Sequence, residues 1–222
     1  MNSAVKKIAV DMFYDVASPY SWIGFEALSS HHKKWKKMDL NLQPLLLGAV
    51  LKANQAKPPS PNQAKFSKVE LRLIAEYNHI PLVRPANVQH VLFEKGTLQP
   101  QRLLTAIKQH HPAVLESVSR ELYLRIWSRD IDATKRESLK AACMDGGLSS
   151  VDAENVIRLS KSDEIKQKLK DTTNFAVKQG VFGTPTFIAH LDPDPVLLFG
   201  YDKLFLLAYL INEKWHGPIH KI

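Results

Sequence analysis

One junction near the start of the chain constrains its fold more than any other feature. An apolar run ending at Tyr14 is followed within a few residues by Ser18-Pro19-Tyr20-Ser21. Serine is a favoured helix N-cap and proline is favoured at the first helical position. The segment therefore predicts a strand over Ile8–Tyr14 that runs into a helix from Pro19 to about His32. A second apolar stretch over residues 40–47 predicts another strand, which completes a parallel βαβ unit.

The central part of the chain has helical patterning. Apolar residues recur near a spacing of 3.6 over residues 62–78 and 100–180. Thr134-Lys135-Arg136-Glu137 and Ser149-Ser150-Val151-Asp152 both fit the capping-box pattern and predict helix starts. By contrast, residues 52–61 have the polar, proline-rich composition of a loop. We therefore expect an all-α block after the βαβ unit.

Strand patterning returns after Gly180. Residues 186–190 and 196–199 flank a polar connection containing two prolines and predict a β-hairpin, and residues 202–214 predict a closing helix. The order βαβ, helical block, ββα is that of an α/β thioredoxin-like core with an all-α domain inserted between its two halves. We expect the core to comprise residues 1–50 and 181–222 together with the helix before residue 181. The inserted helical domain is expected to span residues 62–180.

The strand-to-helix junction coincides with the position at which thioredoxin-like proteins carry Cys-x-x-Cys. Ser18 and Ser21 occupy both cysteine positions, so a dithiol redox cycle is excluded here. The helix N-terminus still offers N–H groups to an anion, so any thiolate used there comes from a ligand. Far downstream, Pro185 enters a strand and is expected to be cis beside the active helix. Together these features point to glutathione, although Ser18 taken alone is better explained as an ordinary N-cap.

Composition favours a folded chain with a small anionic ligand. The 222 residues are 45% hydrophobic, enough for a sizeable core, and the formal net charge is +8. No nucleic-acid-binding motif accompanies the basic residues, and the dense cluster Lys33-Lys34-Trp35-Lys36-Lys37 is interpreted as a solvated helix end. The histidines lack carboxylate or cysteine partners at ligand spacing, so no metal site is expected.

Cysteine content and the apolar segments bear on location. Cys143 is the only cysteine and cannot form an internal disulfide. A single free thiol favours a reducing, intracellular compartment. The sequence contains neither a secretory signal nor an apolar run long enough to cross a bilayer, so we expect no integral membrane segment.

The chain resembles the kappa-class glutathione S-transferases, which are related to bacterial disulfide oxidoreductases and to 2-hydroxychromene-2-carboxylate isomerase. The resemblance spans nearly the whole sequence. It rests on Phe13-Tyr14-Asp15-Val16, Ser18-Pro19-Tyr20-Ser21-Trp22, Glu94-Lys95-Gly96, Ser119-Arg120-Glu121-Leu122, Trp127-Ser128-Arg129, Phe199-Gly200 and Glu213-Lys214-Trp215-His216-Gly217-Pro218. It implies a homodimer that conjugates the co-substrate glutathione to small hydrophobic electrophiles and that could also reduce peroxides.

The resemblance also implies a set of glutathione-binding residues. The set is Ser18, Pro19, Tyr20, Asn54, Lys65, Thr184, Pro185, Tyr201 and Asp202. Within it, Ser18 is the implied catalytic residue and hydrogen-bonds the ligand's sulfur. Thr184 precedes a proline and is held extended, so its backbone can pair with the ligand's cysteinyl unit. Asp202 could accept the ligand's ammonium or simply cap the last helix.

Two positions depart from the family's pattern. The loop asparagine corresponds to Ala56 in this chain, with Asn54 two residues earlier. The lysine that meets the glycyl carboxylate falls near Gln63, with Lys65 close by. Asn54 and Lys65 are therefore the nearest candidates for these two contacts.

Three functions stay open on the sequence. The first is glutathione transfer, the second is isomerisation of the 2-hydroxychromene-2-carboxylate type, and the third is a non-catalytic, glutathione-binding thioredoxin-like module. By resemblance the compartment is the mitochondrial matrix or the peroxisome, with the cytosol also open. The physiological electrophile is not indicated by the sequence.

Overall fold

A four-stranded mixed sheet forms the centre of the molecule, a computed structural model in which residues 6–88 and 94–217 are described. In hydrogen-bonding order the strands are β2 (Met38–Pro44), β1 (Ile8–Tyr14), β3 (Thr186–Ala189) and β4 (Val196–Phe199). β1 runs parallel to β2, with Ile8 opposite Met38. It runs antiparallel to β3, with Phe13 opposite Thr186, and β3 and β4 form an antiparallel hairpin.

The central strand β1 is buried on both faces. Val10, Met12, Phe13 and Tyr14 have no exposed surface. Successive strand residues point to opposite faces of a sheet, so Met12 and Phe13 belong to two different apolar clusters. The sheet is therefore covered by other elements on both sides.

Helices supply that cover. In the described part of the chain they are α1 (Pro19–His32), α2 (Leu47–Ala53), α3 (Pro61–Tyr77), α4 (Leu98–His110), α5 (Leu115–Trp127), α6 (Arg136–Asp145), α7 (Ser150–Leu159), α8 (Asp163–Lys178) and α9 (Leu204–Leu210). Short 3-10 turns over Pro112–Val114 and Tyr201–Lys203 precede α5 and α9. Helices α2 to α8 all lie between β2 and β3 in the sequence, which confirms the predicted α/β core with a helical insertion.

The larger apolar cluster joins the two parts of this architecture. It contains Met12 of β1 and Phe25 of α1 together with Leu122 of α5 and Cys143 of α6. The core strands and the inserted helices thus share one continuous interior. The division into residues 1–50 plus 181–222 and residues 62–180 stays a prediction.

Two predicted elements differ from the structure at their ends. β2 stops at Pro44 instead of residue 47, and Leu47 begins α2, a helix that the sequence pattern did not predict. The Leu47 amide donates to the Asp15 carboxylate at 2.8 Å, so a distant side chain stabilises the first turn of α2. The closing helix ends at Leu210 instead of residue 214, because Asn212 adopts the left-handed conformation with a φ of 54°.

The predicted helix starts also had different outcomes. Ser149 caps α7, and its hydroxyl oxygen accepts from the Asp152 amide at 3.1 Å, as predicted. A helix also begins within the predicted Thr134 segment, since α6 starts at Arg136, but Thr134 does not cap it. The Thr134 hydroxyl donates to Asp132 at 2.7 Å, and Lys135 is the N-cap. A capping box that we did not predict, formed by Ser60 and Gln63, begins α3.

Candidate active site

Ser18 is the N-cap of α1 and lies almost completely buried where β1 gives way to the helix. Its hydroxyl oxygen accepts a hydrogen bond from the Ser21 amide at 3.1 Å. Its hydroxyl proton is donated to the backbone oxygen of Thr184 at 3.2 Å. The structure therefore brings together the two halves of the predicted site, which are far apart in the sequence.

The Thr184-Pro185 peptide bond is cis, as predicted. The Pro185 backbone oxygen accepts from the Gly200 amide at 3.0 Å, which fixes the end of β4 beside the proline. On the other side, a Cβ added at Gly24 would lie 3.0 Å from the Pro185 ring. Glycine at this position lets α1 approach the cis-proline closely.

The first turn of α1 leaves one backbone amide for a ligand. Of the first four N–H positions, Ser18 donates to Asp15 at 3.0 Å and Ser21 donates to the Ser18 hydroxyl. Pro19 has no N–H. The Tyr20 amide is the remaining donor of the four, since no bond to it is present among residues 6–88 and 94–217. An anion at this helix end can therefore contact the Tyr20 amide and the Ser18 hydroxyl.

Two tyrosines flank this helix end. The rings of Tyr20 and Tyr201 stack with centroids 6.3 Å apart and planes inclined by 15°. The Tyr20 hydroxyl donates to the Glu70 carboxylate of α3 at 2.5 Å. Burial raises the pKa of each tyrosine to about 12, and the nearby Glu70 carboxylate adds to the effect. Both phenols therefore stay protonated at neutral pH, and the Tyr20 hydroxyl is a hydrogen-bond donor.

The contact between Tyr20 and Glu70 is a site feature that sequence reasoning missed. α3 is the first element of the helical insertion, and the pattern of residues 62–78 predicted the helix but not its position. A carboxylate on the inward side of an amphipathic helix was the only available signal. The structure thus places α3 in contact with the first turn of α1.

Asp202 lies in the short turn that leads from β4 into α9. Gly200 has a φ of 93°, and a Cβ there would lie 2.5 Å from the Asp202 carboxylate, so glycine is required at the entrance to this turn. The carboxylate forms an ion pair with Lys203. Because α9 begins only at Leu204, Asp202 does not cap that helix.

Asn54 and Lys65 occupy different surroundings. Asn54 ends α2, and its side-chain amide donates to the backbone oxygens of Val50 at 2.9 Å and Val181 at 3.2 Å. Val181 precedes Thr184 by three residues, which brings Asn54 to the edge of the site with both amide hydrogens in use. Lys65 is exposed in the second turn of α3.

Asp15 supports the loop that leads to Ser18. Its side chain has no exposed surface and accepts from the Ala17 amide at 2.9 Å and the Leu47 amide at 2.8 Å. Burial raises its pKa from 3.8 to about 6, because removal from water disfavours the charged carboxylate more than these hydrogen bonds favour it. The Trp127 indole donates to the Val16 backbone oxygen at 2.9 Å and holds the same loop from α5.

The chemistry available at the site is that of anion stabilisation. Cys143 is buried in α6, and burial raises its pKa to about 12, so it does not supply a thiolate. Within residues 6–88 and 94–217, no group of three or more His, Cys, Asp and Glu side chains is arranged to hold a metal ion. None of the helices described for this chain is both long and apolar enough to cross a membrane.

Comparison with known sequences relates the chain to one family. The model of the DSBA-like thioredoxin domain matches residues 9–212. The chain is 40% identical over 212 residues to "Glutathione S-transferase kappa 1" of Homo sapiens, covering 95% of this chain and 93% of that protein. It is 28% identical over 217 residues to "Glutathione s-transferase kappa 2" of Caenorhabditis elegans, covering 96% of this chain and 95% of that protein.

Solved structures share the fold. A 2-hydroxychromene-2-carboxylate isomerase superposes with a TM-score of 0.73 at 23% identity, covering 92% of this chain and 94% of that one. The cytosolic disulfide reductase DsbM from Pseudomonas aeruginosa, in a structure with GSH, has a TM-score of 0.59 at 14% identity, covering 89% and 92%. At these identities the likeness concerns the fold alone.

Proposed function

This chain belongs to the kappa-class glutathione S-transferases, within the DSBA-like thioredoxin domain family. We propose that it conjugates glutathione, through its sulfur, to small hydrophobic electrophiles and that Ser18 is the catalytic residue. The observation that carries the proposal is the position of the Ser18 hydroxyl. It lies at a helix N-terminus, in the same turn as the Tyr20 amide and in contact with the residue before a cis-proline.

Binding would exchange one hydrogen bond for two. In the ligand-free arrangement the Ser18 hydroxyl donates to the Thr184 backbone oxygen. The cysteinyl N–H of glutathione can replace it as the donor to that oxygen, as in the addition of a strand to a sheet edge. The Ser18 proton is then free to point at the sulfur, so seating the peptide also prepares the catalytic hydroxyl.

The hydroxyl and the helix end would stabilise a thiolate without removing the proton themselves. A free cysteinyl thiol has a pKa of about 8.5 and is only a few per cent ionised at neutral pH. Each unit by which the site lowers that pKa corresponds to ~1.4 kcal/mol in favour of the thiolate. The Ser18 hydroxyl, the Tyr20 amide and the helix dipole all favour the charged form.

The charged ends of glutathione would meet the surrounding turns. The Asp202 carboxylate can accept the ligand's ammonium in exchange for Lys203, its present ion-pair partner. Asn54 can accept a hydrogen bond from an N–H group of the ligand through its side-chain oxygen, since its side-chain amide already donates to Val50 and Val181. We assign Lys65 to the glycyl carboxylate because it lies close to Gln63, the position of the family's lysine. Its side chain would have to extend towards the ligand from the exposed side of α3.

The electrophile would bind next to Thr184. The rings of Phe182 and Phe199 pack with centroids 4.5 Å apart and planes inclined by 46°, and each remains more than 40% exposed. Exposed aromatic rings beside the sulfur site favour small hydrophobic electrophiles such as aryl halides. The same thiolate can attack the O–O bond of an organic peroxide, releasing the alcohol and leaving the glutathione sulfur as a sulfenic acid. A second glutathione then reduces it to the disulfide and water, so we include peroxide reduction in the proposal.

Replacing Ser18 by alanine tests the proposal. The Ser18→Ala variant should bind glutathione within about threefold of the wild-type affinity by calorimetry. It should lose the thiolate absorbance near 240 nm at pH 7, and its kcat/KM for chlorodinitrobenzene should fall at least tenfold, or about 1.4 kcal/mol. Ser29→Ala, a buried serine further along the same helix, is the matched control and should keep both properties.

The alternatives give different results in the same experiments. If the wild type turns over a 2-hydroxychromene-2-carboxylate but not chlorodinitrobenzene, the protein is an isomerase. Unchanged thiolate absorbance in Ser18→Ala, without turnover by the wild type, would identify a non-catalytic binding module. Failure of the wild type to bind glutathione at millimolar concentration would refute the whole proposal.

We also propose a homodimer in which α3 contributes to the interface. Phe66, Val69, Leu73 and Tyr77 recur at spacings of three and four residues on one side of α3, and each is at least 49% exposed. The other side of the helix buries Ala75 against the core. A helix with two apolar faces needs a second partner for the outer one.

Sedimentation velocity tests the dimer. The wild type should sediment as a dimer, and Leu73→Asp should be largely monomeric because it places a charge in the apolar stripe. Val151→Asp, at a 71% exposed position on α7, is the control and should remain dimeric. A monomeric wild type, or equal behaviour of the two variants, would contradict the proposal.

The compartment is proposed from the resemblance alone. We propose the mitochondrial matrix or the peroxisome, with a role in the removal of reactive electrophiles. Subcellular fractionation with antibodies against the native protein tests this, and recovery in the cytosolic fraction alone would contradict it.

A further inference from the structure

A cleft of about 490 Å³ lies between α2, α4 and α8, and none of the glutathione-site residues lines it. Its apolar lining comes from the segment entering α2 and from the two longer helices, and consists of Leu46, Ala49, Leu98 and Leu169. Small-molecule sites typically occupy roughly 300–1,000 Å³ and combine an apolar lining with a few polar groups. The size and lining of this cleft fit that description.

The rim of the cleft is cationic. Arg102 of α4 and Lys166 and Lys170 of α8 line it, together with a single acidic residue, Asp163. Asp163 forms its ion pair with Lys166 at 2.8 Å. Over residues 6–88 and 94–217, Arg102 and Lys170 have no acidic partner, so the cleft presents uncompensated positive charge.

Arg102 carries the second, independent observation. Its Nε is completely shielded from solvent and has no hydrogen-bond partner among the described groups. A buried N–H donor without an acceptor is costly, and such a group calls for a ligand or ordered water. An anionic group entering the cleft would supply the missing acceptor.

Two uncharged polar side chains of the lining, Thr173 and Gln167, already have partners within the protein. The Thr173 hydroxyl accepts from the Leu46 amide at 3.1 Å and donates to the Leu169 backbone oxygen at 2.7 Å. Gln167 donates its side-chain amide to Asp171 at 2.7 Å. An anionic head group is therefore directed to Arg102 and Lys170, with its apolar body over the leucines.

From this arrangement we propose that the cleft binds a medium-chain fatty acid anion at a site separate from the glutathione site. The carboxylate pairs with Arg102, whose guanidinium suits a planar, two-oxygen acceptor, and with Lys170. The alkyl chain lies along the apolar lining between α2 and α8. Binding requires neither glutathione nor the Ser18 hydroxyl.

Calorimetry with decanoate below its micellar concentration tests the site. The wild type should bind one equivalent with a dissociation constant in the micromolar range, and Arg102→Met should weaken binding at least tenfold. Lys168→Met removes the same charge from a position of α8 that does not line the cleft, and should bind decanoate as the wild type does. Decanol, which has the chain but no charge, should bind weakly to all three proteins.

A competition experiment separates this site from the one around Ser18. Decanoate binding should be unchanged in Ser18→Ala and in the presence of saturating S-hexylglutathione. Displacement by S-hexylglutathione would place decanoate at the glutathione site and overturn the proposal. Equal decanoate affinities of wild type and Arg102→Met would also overturn the proposal. So would the absence of any heat of binding at decanoate concentrations up to about 1 mM.

Discussion

Ser18 donates its side-chain hydroxyl to the backbone oxygen of Thr184, a residue 166 positions further along the chain, at 3.2 Å. This bond connects the start of α1 to the cis-proline segment before β3. In this bond the Ser18 proton, which we propose donates to the glutathione sulfur, is held by the Thr184 oxygen. The cysteinyl N–H of glutathione can replace Ser18 as the donor to that oxygen. The bond therefore connects the two segments in the free protein, and we propose that glutathione replaces it on binding and so releases the Ser18 proton for the sulfur.

Changing Thr184 to valine should leave glutathione binding intact. In the proposed complex the Thr184 backbone makes the contact with the ligand, and the Thr184 hydroxyl is buried without a partner among the described groups. Removing an unsatisfied buried hydroxyl should leave the free energy of unfolding unchanged or raise it by up to about 1 kcal/mol. Calorimetry with glutathione should give an affinity within about twofold of the wild type.

Thr186→Val is the matched control for this change. The Thr186 hydroxyl is fully buried and donates to the Gly183 backbone oxygen at 2.8 Å, so its loss leaves a buried acceptor unpaired. Urea denaturation should show a loss of about 1 to 2 kcal/mol. An equal loss in Thr184→Val would show that the Thr184 hydroxyl has a partner after all.

Asp15 should make the stability depend on pH below neutrality. Its folded-state pKa is about 6, above the ordinary 3.8, so the native state favours the protonated form. Protonated Asp15 therefore contributes up to about 3 kcal/mol to the free energy of unfolding. This contribution is fully present below about pH 4 and is lost as the pH rises through 6. The difference in unfolding free energy between wild type and Asp15→Asn should therefore decrease by that amount from pH 4 to pH 7.

Urea denaturation at several pH values measures this difference. Asp39, an exposed carboxylate on β2, supplies the control, and Asp39→Asn should reproduce the wild-type profile. A constant difference between wild type and Asp15→Asn across the whole range would contradict the assignment.

Removing Arg120 should be strongly destabilising. Its guanidinium donates to both Glu26 carboxylate oxygens at 2.9 and 3.0 Å, and Glu26 is nearly completely buried. Arg120→Met leaves that carboxylate without its cation and should cost about 3 kcal/mol of unfolding free energy. The double variant with Glu26→Gln removes the stranded charge and should recover at least half of the loss.

An exposed ion pair provides the comparison for Arg120. Arg72 and Glu76 lie 3.0 Å apart on α3, and both side chains are more than half exposed. Arg72→Met should change the unfolding free energy by less than about 1 kcal/mol in chemical denaturation. Similar losses for the two arginines would refute the argument from burial.

Cys143 should be unreactive in the folded protein. It is buried, and burial raises its pKa to about 12, so the thiolate that attacks disulfide reagents is not available. Ellman's reagent should label less than about one tenth of the thiol in native protein over an hour and all of it in urea. Ser18→Cys, with a second thiol at the helix N-terminus, should react in the native state, and rapid labelling of native wild type would contradict the prediction.

The sequence determined the elements that are specified by local chemistry. β1 and α1 have the predicted bounds because an apolar run, a serine N-cap and a proline at the first helical position act within a few residues of one another. β4 has its predicted bounds for a similar reason, and the cis-proline follows from the segment that precedes β3. The same local pattern predicted Ser18 as the N-cap of α1, whereas the catalytic role proposed for it rests on the family resemblance as well.

Tertiary structure decided the features that depend on distant groups. α2 begins at Leu47 because a buried carboxylate from the β1 loop accepts its amide, and no pattern near residue 47 encodes that contact. The placement of Glu70 against Tyr20 and the raised pKa of Asp15 likewise depend on burial by other elements. Short-range preferences select helix and strand, whereas hydrogen-bond partners and desolvation are set only when the sheet and the inserted helices pack together.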